Sequence, residues 1–178
     1  MMGKFFARSR LGIGPTVILM GLASGAAAQT IQPPPAADFV ASEVHSDEYE
    51  IEAGHAALAQ SRNPRVRAFA QQMIVDHSRM RDSAQQAAMA SHLPAPSLTM
   101  SPDQAQLLSA LQSVGNAEFD RSYARQQTLA HEQALLVLQN YAIAGTDPNL
   151  RNLAQANIPV VRHHRDEIRQ IGMELGER

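Results

Sequence analysis

The stretch Asn63-Pro64-Arg65-Val66-Arg67-Ala68-Phe69-Ala70-Gln71-Gln72-Met73-Ile74-Val75-Asp76-His77 decides the fold class. Ser61-Arg62-Asn63-Pro64 reads as a turn, with Pro64 at a first helical position, where a missing N–H is tolerated. From there Val66, Phe69, Met73, His77, Met80 and Ala84 recur every three or four residues. That period is one face of an α-helix running to about Ser91.

Working outward, three more helical stretches follow the same rule. Upstream, Val40, Val44, Ile51 and Leu58 form a stripe on a helix from about Phe39 to Ala59, with Asp38 as its N-cap and Asp47 and Gly54 in line. Downstream, Leu93 to Thr99 is a loop with two prolines, and Ser101-Pro102-Asp103 opens a third helical segment with Leu107, Leu108, Leu111 and Val114. Gly115-Asn116 bends or breaks that segment. It continues from Ala117 to about Ile143 with Phe119, Tyr123, Gln127, His131, Ala134, Leu138 and Tyr141 in line. After the turn Gly145-Thr146-Asp147-Pro148, a fourth helix carries Leu150, Leu153, Asn157, Val161, His164, Ile168, Ile171 and Leu175. Pro159 lies inside it and should kink it.

The chain of 178 residues suits one domain, and 44% hydrophobic residues can build a core. Only 4% are aromatic, so Ala, Leu, Ile, Val and Met must fill it, which favours packed helices over a β-sandwich. The motif Asn63-Pro64-Arg65-Val66-Arg67-Ala68-Phe69-Ala70-Gln71 is echoed by Asp147-Pro148-Asn149-Leu150-Arg151-Asn152-Leu153-Ala154-Gln155. Each opens the second helix of a helical pair, so the fold expected is all-α, an antiparallel four-helix bundle spanning residues 38–176.

Residues 1–28 read as a signal peptide. Lys4, Arg8 and Arg10 are its basic region, Leu11 to Ala23 its apolar region, and Ala26-Ala27-Ala28 its cleavage site before Gln29. The apolar run is shorter than the ~20 residues of a bilayer span, which disfavours an uncleaved anchor. Residues 29–37, with Pro33-Pro34-Pro35, form a Pro-rich leader. There is no cysteine, which excludes disulfides, thiolate ligands, a Cys nucleophile and a lipid-anchored N-terminal Cys. The expected address is the periplasm.

Removing the three basic residues of the signal from the 15 in the chain leaves 12 against 17 acidic ones, a net charge of −5. Nucleic acid is therefore excluded as a partner, and a membrane is not expected after signal cleavage. The sequence names no protein partner, and self-association as a homo-oligomer stays open. Phosphate loops, nucleophile elbows and H-E-x-x-H are absent from it.

Three of the seven histidines stand on the stripes: His77, His131 and His164. If the first two helices and the last two turn at the same end, His77 lies roughly 20 Å from that end, His131 roughly 19 Å and His164 roughly 24 Å. Glu50 lies roughly 16 Å and Asp47 roughly 21 Å down the first helix. Three imidazoles and a carboxylate, with Glu50 as the favoured fourth ligand, suit zinc, iron, manganese or copper. Asp47, Asp76, Asp120, Gln127 and Asn157 are candidate supporting groups or alternative ligands. One such histidine is ordinarily a hydrogen-bonded core residue, and the layer can instead serve packing and helix register. The other histidines (His45, His55, His92 and His163) are weaker candidates, and Met73 and Met80 read as core filling.

The stretches Glu50-Ile51-Glu52-Ala53-Gly54, Asn63 to His77, Phe119-Asp120-Arg121-Ser122-Tyr123, His131 and Pro159-Val160-Val161-Arg162-His163-His164 resemble the domain-of-unknown-function 4142 family. The resemblance covers roughly residues 38–173. It implies an exported bacterial protein with a ferritin-like helical bundle, and it highlights Glu50, Asp76, His77, Asp120, His131 and His164. Ferritin-like di-iron proteins place Glu three residues before His. Here those positions are Ile74, Thr128 and Val161, which argues against a carboxylate-bridged di-iron centre. Three readings follow: a metal-binding or stress-protection protein, a non-catalytic structural or interaction module, and a metal-dependent redox enzyme. The sequence favours no enzymatic activity.

Overall fold

A computed structural model describes residues 32–176, with the side chains of Asn116 and Ala117 excepted. The expected signal peptide falls outside these residues. The described chain is all-helical: α1 (Ala36–Gln60), α2 (Pro64–Ala90), α3 (Pro102–Ser113), α4 (Asn116–Ala144) and α5 (Pro148–Glu174).

Local chemistry sets the helix ends. Asn63 Oδ1 accepts from the N–H groups of Arg65 and Val66, and Pro64 follows as first residue of α2. Ser101 and Gln104 close a reciprocal capping box on α3, and Asp147 caps α5 through the Leu150 N–H. α1 departs from expectation. It starts at Ala36 behind Pro35, and Asp38 sits in its first turn rather than at the cap. α5 runs unbroken through Pro159.

The third segment is two helices. Val114 and Gly115 both take extended backbone, with ψ of 134° and 152°, so the helical hydrogen-bond ladder stops between α3 and α4. This break alters the topology. Arg65 at the start of α2 pairs with Glu174 at the end of α5 at 3.1 Å. Ser91, just past α2, donates to Asp147 in the α4–α5 turn at 2.8 Å. The α1–α2 and α4–α5 turns therefore lie at opposite ends, not at the same end as expected. Residues 91–115 are the reason: they carry the chain back along the molecule before α4 begins. α2 and α4 consequently run parallel, and the connection between them is a long crossover.

Four long helices surround one interior: α1 packs on α2, α4 on α5, α2 on α5 and α1 on α4. The short α3 lies against α1 and α4, burying Leu108 and Leu111. Two apolar clusters fill the ends. One gathers Ala57, Val66, Phe69, Phe119, Tyr123 and Ile171 beside the α1–α2 turn. The other gathers Phe39, Ala88, Leu138, Tyr141 and Leu150 beside the α4–α5 turn, with the Phe39 and Tyr141 rings stacked at 3.8 Å. Gly54 lets α1 approach α2 closely: a Cβ there would meet Ile74 Cγ1 at 2.8 Å and the Ala70 carbonyl oxygen at 3.0 Å. Between the two clusters lies a buried polar layer.

Candidate metal centre

That layer is built from the middles of the four long helices. α1 supplies Glu43, Asp47 and Glu50, α2 supplies His77, α4 supplies Gln127 and His131, and α5 supplies Asn157 and His164. Each sits where the helical period would place an apolar residue, so its side chain is forced inward. The three histidines are 3%, 1% and 0% exposed in chain order.

Their rings form a near-equilateral triangle, with centroids 5.4, 5.5 and 5.6 Å apart. Each ring offers one nitrogen, and those three atoms lie within 4.8 Å of one another. Metal–imidazole bonds are ~2.0–2.1 Å long, so one ion bound to all three would draw these atoms closer together. The reversed α4–α5 hairpin does not spoil this convergence. His77, His131 and His164 lie near the midpoints of their helices, and a midpoint keeps its height when a helix is inverted.

The outer nitrogens are held. His131 Nδ1 lies 2.8 Å from the Gln127 carbonyl oxygen. A carbonyl only accepts, so Nδ1 carries the proton and Nε2 presents a lone pair. His164 Nε2 sits 3.1 Å from Asp76 Oδ2, and His77 Nδ1 sits 2.8 Å from Asp47 Oδ1. With these nitrogens donating, the open positions are His77 Nε2, His131 Nε2 and His164 Nδ1. All three are buried without a hydrogen-bond partner. Buried polar atoms normally find partners, so three orphaned lone pairs facing one another fit a bound cation. A carboxylate or carbonyl behind each ring is the support that metal-ligating histidines require.

Electrostatics agree with that fit. Burial lowers the pKa of all three: well below the ordinary value for His131, and to about 4 for His164. The rings are thus neutral near pH 7, as ligands must be. On α1, burial raises the carboxyls of Glu43 to about 8, Glu50 to about 7, and Asp47 well above its ordinary range. For the Asp47–His77 pair, burial disfavours charge on either partner, leaving a neutral imidazole against a carboxyl.

The supporting residues are placed unevenly. Glu50 is buried, but its Oε1 lies 3.8 Å from His131 Nδ1, behind the ring and away from the open nitrogen. Its other oxygen, Oε2, is buried without a partner, and Glu50 is not among the three residues whose ligand atoms come within 4.8 Å of one another. Asp76 serves His164 across the α2–α5 interface rather than its sequence neighbour His77. Asn157 is buried with an unpartnered Nδ2. Asp120 is eleven residues before His131, roughly 16 Å along α4, and is out of reach. His55, His92 and His163 are exposed and His45 is half-buried, so none belongs to the layer. Glu43 is the residue that sequence reading missed. Its signal was present: Glu43, Asp47 and Glu50 follow the i, i+4, i+7 rhythm beside Val40 and Val44.

Comparison with known proteins places this geometry in context. CopM in the Cu(II)-bound form is similar over 80% of this chain and 99% of its own, with a TM-score of 0.67 and 19% identity. CopM in the Cu(I)-bound form matches over 77% of this chain and 94% of its own, with a TM-score of 0.64 and 21% identity. A DUF305 fragment from Deinococcus radiodurans gives a TM-score of 0.64 and 19% identity over 80% of this chain and 99% of its own. These likenesses show a shared helical fold. No curated protein matches. The family "Domain of unknown function (DUF4142)" matches residues 21–171. Because that match spans most of the sequence, the chain belongs to the DUF4142 family.

Proposed function

We propose that this protein is exported to the periplasm and binds one divalent metal ion, copper foremost, at His77, His131 and His164. The reading takes the four long helices as an antiparallel, ferritin-like bundle that holds the ion in its interior. The observation that carries it is the buried histidine trio, whose ligand atoms come within 4.8 Å of one another and each of whose rings has one unpartnered nitrogen. Three imidazoles suit copper and also zinc or iron. The Cu(II)-bound and Cu(I)-bound forms of the structurally similar CopM favour copper among them.

Export is supported by the basic, apolar and Ala-rich order of residues 1–28. Among the described residues, no helix is long and apolar enough to cross a membrane. The role is metal binding or protection against metal stress. When bound, the ion would supply Lewis acidity or redox capacity. The chain's own residues hold it, orient the rings through Asp47, Asp76 and the Gln127 carbonyl, and exclude bulk water with two apolar clusters.

The test is elemental analysis of mature protein isolated from its native compartment, paired with calorimetric titration of metal-free protein. About one ion per chain, lost on His131→Ala, is the expected result. Stability and heat signals that ignore added copper, zinc, iron and manganese would instead assign the layer a packing role.

A further inference from the structure

A buried centre needs a way in, and the structure shows where one lies. Along the seam between α1 and α4, four small residues stand among larger ones such as Tyr49 and Leu129: Ser42 and Ser46 on α1, Ala130 and Ala134 on α4. They leave a cavity of about 410 Å³, roofed by Gln104 and Leu107 of α3. A liquid water occupies roughly 30 Å³, so a hydrated ion fits inside. The cavity stands at the height of the centre. Ser46 precedes Asp47, Tyr49 precedes Glu50, and Ala130 precedes His131.

One acidic residue lines this space: Glu43. It is one turn from Asp47 on the same helix face, and Asp47 is hydrogen-bonded to His77. Asp47 also has a second oxygen, Oδ2, that is buried and unpartnered. Glu43 lines the cavity, and Asp47, one turn along α1, does not line it but bonds His77, so the two carboxyls link the cavity to the centre. On the α2–α5 face a second cavity of about 490 Å³ is lined by Arg65, Gln72, His163, Asp166, Glu167 and Gln170, none of them buried, and Asp76 on that side is engaged by His164 and Arg79.

We infer that the α1–α3–α4 cavity is the vestibule through which a divalent cation reaches the histidine centre, with Glu43 as the carboxyl group that takes it from water. This rests on the metal-binding reading above and adds its route. Microscopic reversibility supplies the discriminating signature. A residue on the route is passed in both directions, so its loss slows loading and release alike. Loss of a resident ligand instead speeds release.

The experiment follows Cu(II) uptake by metal-free mature protein in stopped flow, and its release to excess chelator, for wild type, Glu43→Gln and Ser46→Leu. Glu43→Gln removes the ionisable carboxyl at nearly constant shape, and Ser46→Leu fills the cavity without touching Glu43. Circular dichroism checks that each variant is folded, and if one is not, the other decides. Loading and release both slowed about tenfold or more would support the vestibule. Unchanged rates in the folded variants, or faster release from Glu43→Gln, would overturn it. Failure of the wild type to take up Cu(II), zinc, iron or manganese would overturn the underlying metal-binding reading, and the vestibule with it.

Discussion

His164 on α5 reaches across to Asp76 on α2, with Nε2 3.1 Å from the carboxylate Oδ2, and this bond fixes which ring nitrogen faces inward. Asp76 is a quarter exposed while His164 is fully buried, so the pair links the interior to the surface. Asp76→Asn keeps an oxygen acceptor but loses the charge. Such supporting carboxylates typically contribute ~10–100-fold to metal affinity. A drop of that size in Cu(II) affinity, with the metal-free melting temperature nearly unchanged, is the expected outcome of titration calorimetry and thermal melts.

His131 ties the layer to α4 and is held by its own helix, through the Gln127 carbonyl. A ligand present at a thousand times its Kd stabilises the folded state by ~4 kcal/mol. Wild-type protein should therefore melt higher in saturating copper, and His131→Ala should lose nearly all of that gain. A full copper-dependent shift surviving in the variant would remove His131 from the site.

The metal-free protein should show opposing pH dependences. His164 is held down at about 4 against an ordinary 6.5, so the unfolded chain binds the extra proton first. Its share of stability is present above pH 6.5 and is lost as pH falls towards 4. Glu43 is pushed up from 4.5 to about 8, so its share is present below pH 4.5 and is lost as pH rises through 8. Denaturant melts from pH 5 to 8.5 should show Glu43→Gln gaining on wild type as pH rises. Parallel curves would show that burial does not retain a proton on Glu43.

Gly54 sits where α1 meets α2, with no room for a Cβ against the Ala70 carbonyl oxygen. Alanine would gain about 1 kcal/mol in helix propensity. Overpacking costs ~1–3 kcal/mol, and the obstacle here includes backbone. Gly54→Ala should therefore lower stability by about 1 kcal/mol in urea melts, with far-UV dichroism unchanged. A stabilised variant would show that the helices part easily.

Much of this was legible in the sequence. Asn63-Pro64, Ser101-Pro102 and Asp147-Pro148 fixed three helix starts, because caps are local chemistry. The stripes containing His77, His131 and His164 were read correctly, because periodicity reports the inward face. The path of residues 91–115 was not legible. Leu107, Leu108 and Leu111 resemble the start of one long helix, and only tertiary packing of α3 on α1 decides otherwise. Glu50 stands on the expected helix face, but where its carboxyl lies relative to the rings is set by contacts from other helices, which local sequence does not carry. Glu43 was missed because the buried polar layer it joins is completed by residues of other helices, Asn157 on α5 among them, far along the chain.

The placement of oily residues in two separate ends has an evolutionary consequence. Each end is sealed by its own aromatic and aliphatic contacts, so cohesion does not depend on the storey between them. Selection can rewrite that middle storey, exchanging one ligand or proton carrier for another, while the scaffold stays upright. A library randomised at Glu43, Asp47, Glu50 and Gln127 should accordingly yield many folded members with divergent metal preferences.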